Sequence, residues 1–260
     1  MKIRYLLHML VIFLALGYNV KGQENNGIVK VNYLSNSYFD FSGSTVHGQS
    51  AGALSYFHLH GIGHKKQRLK IGYGLRFTSY VGANKFYRTA PSKYTSTVQG
   101  PGTIFSSDIN ENIDTIATVT PQVNSMNLSI HIEYNVWRKF DIGFNIDVAG
   151  FSFGGRQKVN VISSSFDANQ APVLYARPTK FNLLLTSDND IGSLNSEFFL
   201  RYWLSSKIGI RAGYTFLFTE YTTEQPLSFD HGRIQNDRYR QKSSLFLFAV
   251  TWKPFAKNKN

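Results

Sequence analysis

Between residues 125 and 137 every second side chain is apolar. Met126, Leu128, Ile130, Ile132, Tyr134 and Val136 share one parity, and Asn127, Ser129, His131, Glu133 and Asn135 share the other. Successive side chains of a β-strand point to opposite faces, so such a run builds a wall with one apolar and one polar face; an amphipathic helix would need apolar positions every three or four residues. Segment 140–152 repeats the pattern, with Phe140, Ile142, Phe144, Ile146 and Val148 set against Asp141, Gly143, Asn145 and Asp147. Only Arg138 and Lys139 separate the two, which predicts a tight hairpin.

The same period recurs along the chain. Leu69, Ile71, Tyr73, Leu75 and Phe77 alternate with Lys70, Gly72, Gly74, Arg76 and Thr78 in 67–82, and segment 50–62 precedes them. In 193–204, Leu194, Phe198, Leu200 and Tyr202 oppose Asn195, Glu197 and Arg201; in 207–221, Ile208 to Phe218 oppose Gly209, Arg211, Gly213 and Thr215. Weaker alternation over 28–41 and 242–253 completes eight predicted strands. Short links fall at 63–67, 138–139 and 205–207, and long ones, rich in Ser, Thr, Asn, Asp, Gly and Pro, at 42–49, 83–124, 153–192 and 222–241. Alternating link lengths predict an all-β, eight-stranded antiparallel up-and-down transmembrane β-barrel, with short periplasmic turns and long extracellular loops.

The start of the chain supplies a destination. Residues 1–22 carry Lys2 and Arg4, then an apolar stretch from Leu6 to Leu16, then a less apolar region ending at Gly22, which predicts a secretory signal followed by one barrel domain over 23–260. Removing it takes away Lys2, Arg4 and Lys21 and no acid, so the formal net charge falls from +12 to +9. A basic protein outside the cytoplasm is not expected to meet nucleic acid. The absence of cysteine excludes disulfides, thiolate metal sites, a cysteine nucleophile and a lipidated N-terminal cysteine.

Alternation alone does not say which face meets lipid; the polar face does. It carries Arg76, Glu133, Asp147, Glu197, Arg201 and Arg211, and each deeply placed Arg would cost about 2–4 kcal/mol in a bilayer. The sum would rival a domain's whole stability of about 5–15 kcal/mol, so these six are predicted to form a lumenal charge network. The inward positions balance, with Lys30, Lys70, Arg76, Arg201 and Arg211 against Asp40, Glu133, Asp141, Asp147 and Glu197. An eight-stranded interior is only wide enough for side chains to fill, which predicts pairing across the core rather than an open channel. Aromatic girdles are predicted from Tyr134, Trp137, Phe140, Tyr202 and Trp252 at the turn end, and from Phe39, Phe41, Phe77 and Phe218 at the loop end.

Chemistry-bearing constellations are few. Ser129, His131 and Glu133 share a face, with His58 and His60 on another strand, but residues two apart on a strand lie about 7 Å from each other, too far for a direct relay. Polar filling is the expectation, with no catalytic residue, no metal site and no cofactor assigned. The spacing of His58, His60 and His131 sets no coordination geometry. Gly72-Tyr73-Gly74 lacks the third glycine and the helix of a dinucleotide fingerprint. Arg233, Arg238, Arg240 and Lys242 cluster in the last long loop, where they could meet the phosphates of lipopolysaccharide.

With its signal, eight alternating strands, four long loops, three tight turns and the final strand SSLFLFAVTWKPF, the chain resembles small outer-membrane barrels of the OmpA/OmpX type. Such barrels typically end on the terminal aromatic, whereas Ala256 to Asn260 follow Phe255 here. The resemblance implies a monomeric barrel in the outer membrane of a Gram-negative cell envelope. Its neighbours would be membrane lipid and lipopolysaccharide, the barrel-assembly machinery, and an extracellular or surface-complex protein. The expected role is non-enzymatic and carried by the loops: structural, adhesive or surface-interacting. A porin-like narrow pore or a hydrophobic-ligand transporter is the alternative, and a lipid-modifying enzyme the third reading.

Overall fold

The computed structural model describes residues 36–62, 68–90, 92–96, 108–109, 112–162, 173–185, 189–229 and 234–256, all within one compact unit, Tyr33–Asn260. The signal over 1–22, the stretch 28–35 with Lys30, the turn residues Lys65 and Lys66, and Arg233 lie outside these residues. Thirteen strands occur among the described residues, so the expectation of eight is corrected. Eight are the predicted ones: β1 (Ser37–Val46), β2 (Gln49–Ile62), β3 (Leu69–Gly82), β6 (Gln122–Trp137), β7 (Phe140–Phe153), β11 (Leu194–Trp203), β12 (Ile208–Phe229) and β13 (Ile234–Trp252). Five more come from the presumed long loops: β4 (Lys85–Thr89), β5 (Thr115–Thr118), β8 (Gln157–Ile162), β9 (Val173–Pro178) and β10 (Phe181–Leu183), with one short helix, α1 (Ser92–Thr95).

The pairings close two rings. In the first, β1 pairs β2, then β3, β6, β7, β11, β12 and β13 follow in turn, and β13 returns to β1, every pairing antiparallel. In the second, β13 pairs β4, then β5, β8 and β9, and β9 returns to β12. The β12–β13 ribbon belongs to both, its register running from Ile208↔Trp252 to Phe229↔Ile234 with one irregularity between Thr222 and Leu227. Closure leaves few free edges, the liability of open sheets. Over its upper turns β7 exchanges β11 for β10, with Phe181 opposite Phe151.

Two presumed long loops are thereby corrected as well. Residues 42–49 are a hairpin, since Val46 pairs Gln49 across His47 and Gly48. Gly48 has φ of +72°, the left-handed region that tight hairpin turns require and that glycine enters without steric cost. Because β1 runs past residue 41, Phe39 lies opposite Trp252 at the turn end, not at the loop end as expected. Residues 222–241 are mostly the continuing β12–β13 ribbon.

The rings differ in what they bury. The first buries polar side chains and exposes apolar ones: Arg76, His131, Glu133, Asp147 and Arg201 are buried, while Leu128, Ile130, Ile132, Phe198, Leu200 and Phe248 are exposed. The second is the reverse. Its interior holds Tyr87, Ile116, Val159, Val161, Leu174, Ala176, Tyr221 and Tyr239, which form one cluster with Ala51, Tyr80 and Val123 from the upper ends of β2, β3 and β6. The second ring therefore packs onto the mouth of the first. The Tyr221 hydroxyl fastens the contact, donating to the Gln122 carbonyl at 2.9 Å and accepting from the Gln122 amide at 3.0 Å.

Candidate functional site

The polar face of the first ring converges on a single chain of charges. Glu133 of β6 meets Arg201 of β11; Arg201 lies 3.7 Å from Asp40 of β1, and Asp40 lies 3.4 Å from Arg211 of β12. Arg211 is 3.2 Å from Glu197 of β11, Glu197 is 3.5 Å from Arg76 of β3, and Arg76 is 3.2 Å from Asp147 of β7. The six predicted network residues are thus joined in one line of alternating sign, with Asp40 as the link between its two halves. Neutral groups fill the gaps. The Tyr38 hydroxyl donates to Glu133 at 2.6 Å, Asn145 to Glu197 at 3.0 Å, Asn127 to Asp147 at 2.8 Å and Thr251 to Asp40 at 2.5 Å. The Arg201 and Arg211 guanidinium groups also stack on Tyr38 and Phe199, 4.6 and 4.3 Å from the ring centroids.

Charges this far from water are tolerated because each has an opposite neighbour; one left alone would carry an uncompensated desolvation cost. Arg76 and Arg201 are 0% exposed, so no water-sized space adjoins either guanidinium. The lumen is filled at this level. Several polar atoms within it, among them Ser129 Oγ, His131 Nδ1 and Asp147 Oδ1, have no hydrogen-bond partner among the described residues.

The Ser129, His131 and Glu133 constellation is only partly assembled. His131 Nε2 is 2.9 Å from Glu133 Oε1 and 2.9 Å from the Tyr38 hydroxyl, whereas Ser129 Oγ joins neither. All three are buried. His58 and His60 are on the opposite parity of β2 from the buried Phe57 and Leu59, hence on the outer face, with ring centroids 4.7 Å apart. His131 is inside, so the wall separates it from them. No group of three or more metal-ligating side chains occurs among the described residues.

The basic cluster is divided too. Arg238 and Arg240 turn toward Glu220, each 2.8 Å from it, and the segment before β11 covers the group: the Gly192 amide donates to Glu220 at 3.1 Å and Arg238 to the Asp190 carbonyl at 2.6 Å. Lys242 is exposed, its Nζ 5.7 Å from the Phe218 ring. Glu220 was not anticipated, although its signal is legible: it interrupts the outward row Ile208, Ile210, Tyr214, Phe216, Phe218 at the next step. That step marks a level. On β13 the outward row reads Trp252, Val250, Phe248 and Phe246, then Ser244 and Lys242; on β7 it ends with Phe151 and Phe153, followed by Gly154 and Gly155. From Ile208 to Phe218 the chain advances roughly 33 Å, or about 25 Å along the barrel axis at a tilt of about 40°. Aromatic contacts rim the lower margin, including Trp137–Phe140, Phe140–Tyr202 and Phe39–Trp252.

These features define a closed antiparallel barrel with a charged, filled core, an apolar outer belt and a second, apolar-cored ring on its mouth. No protein-family model matches the chain, and no curated protein matches it. Among solved structures it is similar to the crystal structure of Neisserial surface protein A (NspA), at 8% sequence identity and a TM-score of 0.34, over 84% of this chain and 94% of that one.

Proposed function

We propose that the chain is an integral barrel of a Gram-negative outer membrane, anchored by the first ring, and that it acts without turnover through the second ring and the loops beside it. One observation carries this reading: the outer face of the first ring is a predominantly apolar belt, with Phe248 65%, Trp137 65% and Leu128 56% exposed. Monomeric soluble proteins rarely expose apolar patches beyond a few hundred Å², whereas a bilayer needs such a belt about 25 Å tall. The chain would enter through the barrel-assembly machinery, stand as a monomer among outer-membrane lipid and lipopolysaccharide, and present the second ring to a partner in adhesion, envelope integrity or a surface complex. A narrow pore or transporter fits less well, because the charge chain fills the lumen and the tyrosine-rich cluster covers its mouth. A lipid-modifying enzyme would need a substrate to reach His131, which is sealed on all sides.

Expression of the full chain in a Gram-negative host tests the proposal. The expected result is a protein in the outer-membrane fraction that migrates differently in dodecyl sulfate before and after boiling, since closed barrels survive unboiled detergent. A soluble periplasmic or secreted protein that needs no detergent would overturn it.

A further inference from the structure

The charge of the chain is concentrated at one end of the first ring. Segments 63–68 (GHKKQR), 138–139 (RK), 205–207 (SSK) and 253–260 (KPFAKNKN), the three turns and the stretch after β13, carry nine Lys and Arg and no Asp or Glu. Of the 28 Lys and Arg in the whole sequence, three lie in residues 1–22 and nine in these segments; the remaining 16 equal the 16 Asp and Glu. The surplus beyond residue 22 is therefore the turn end itself. We infer that this end binds the phosphates of anionic phospholipids in the periplasmic leaflet, an inference that rests on the membrane reading above.

The backbone lays the cations along an arc. The Arg68 carbonyl accepts from the Asn135 amide at 2.8 Å, the Lys139 carbonyl from the Trp203 amide at 2.9 Å, and the Lys207 carbonyl from the Lys253 amide at 2.7 Å. Each turn thus leans on the next strand of the ring, and the row runs from β3 past β6, β7, β11 and β12 to β13. Arg68, Arg138 and Lys139 are exposed and Lys207 is half-buried. Lys253 turns inward, its Nζ 4.1 Å from the Trp203 ring. Asp141, the acid nearest the Arg138–Lys139 turn in sequence, is buried and accepts from Asn135 and from the Trp203 indole.

Height selects a lipid headgroup as the occupant. Trp137 and Phe140 stack on each other across Arg138 and Lys139, Lys139 Nζ lies 5.8 Å from the Tyr202 ring, and Lys207 adjoins Ile208, whose partner is Trp252. Arg68 adjoins Leu69, whose partner is Tyr134. Tryptophan and tyrosine mark the headgroup level of a bilayer, where Lys and Arg lay their stems on apolar surface and carry the charge to the phosphates. The Arg138–Lys139 turn has only two residues, which holds both side chains at that level. The phosphate of phosphatidylglycerol keeps its full negative charge, whereas the ammonium of phosphatidylcholine offsets it, so an arc of cations discriminates between them.

The test uses the full chain in neutral detergent, with its heat-dependent shift checked first. Native mass spectrometry then reads retention of phosphatidylglycerol, of phosphatidylcholine with the same acyl chains, of bis-phosphorylated lipid A and of a soluble muropeptide. Phosphatidylglycerol is expected to be retained roughly tenfold more than phosphatidylcholine, and R138Q/K139Q/K207Q to lower that retention by a similar factor. Arg156→Gln with Lys158→Gln removes exposed cations of the second ring and is expected to retain the lipid. If the triple variant loses its heat shift, K139Q/K207Q decides, with an expected severalfold loss. Equal retention of the two phospholipids, full retention by the folded turn variants, or equal loss in the control overturns the site. Lipid A held more tightly than phosphatidylglycerol and lost in the same variant overturns the leaflet, and muropeptide held in place of lipid overturns the occupant. A chain without a heat shift that needs no detergent fails the membrane reading, and this inference with it; a chain that shifts but does not select phosphatidylglycerol fails this inference alone.

Discussion

Arg201 bears most on the lumen, because it touches both Glu133 and Asp40 and lies against Tyr38. Arg201→Met would leave two buried carboxylates short of a partner, and the expected loss is about 3–5 kcal/mol. Urea unfolding followed by tryptophan fluorescence measures it, Trp203 reporting locally through its bond to Asp141 at 2.5 Å. Gly143 offers a steric test. It faces Phe199 across β7 and β11, and an added Cβ would meet that ring at 2.3 Å. Gly143→Ala should cost about 1–3 kcal/mol through overpacking, and Phe199→Leu in the same chain should recover part of it. An unchanged unfolding midpoint in G143A would contradict the close packing. Period-two reading found the six charged residues, and Asp40 among the inward positions, because each lies on a stretch of strand that keeps one parity, Asp147 just before β7 changes parity at Val148. Their order along the chain of pairs was not legible, since it depends on how strands far apart in sequence face one another across the lumen. Glu220 was lost for a related reason: it lies at an outward position, and only the covering segment 190–193 buries it.

The second ring has its own stability at the level of elements. β4, β5, β8 and β9 are held by an apolar interior and by short pairings to the ribbon, such as Tyr239↔Thr89 and Tyr221↔Pro178. Ile116→Asp places a carboxylate in that interior. The expected outcome is limited proteolysis within 83–124 while the unboiled, compact form of the first ring persists; simultaneous loss of both would show one cooperative unit. Alkaline pH provides a second handle. Burial pushes the Tyr87, Tyr221 and Tyr239 phenols above their ordinary value. Up to about pH 10 both folded and unfolded chains keep these protons, so stability is at full strength; above it the unfolded chain releases them first and stability falls. Proteolysis of the second ring should therefore set in as pH rises past about 10, and replacing Tyr87 by Phe should delay it. The predicted segments 125–137 and 140–152 closely match β6 and β7. The segment 207–221 ends eight residues before β12 does, because the polarity of its two faces inverts there: Leu217 and Tyr221 point inward while Glu220 and Thr222 occupy the other parity. β4, β5, β8 and β9 have four to six residues each, which leaves little periodic signal, and their pairings to β13, to each other across β5–β8 and to β12 join segments far apart in the chain.

For the whole molecule, a filled lumen beneath a packed cap predicts electrical silence. Reconstituted in a planar bilayer, the purified chain is expected to give no steady conductance steps; regular steps would revive the pore reading. The molecule also joins two inversely built cores on one shared pair of strands. β13 is the last of the thirteen described strands in chain order, yet it is the partner of β1 in one ring and of β4 in the other. Until β13 is in place, neither ring can close, and the edges of β1, β4 and β12 remain open together. Closure of the two rings is thereby tied to one strand, so a chain lacking it would not hold a finished second ring on an unfinished barrel.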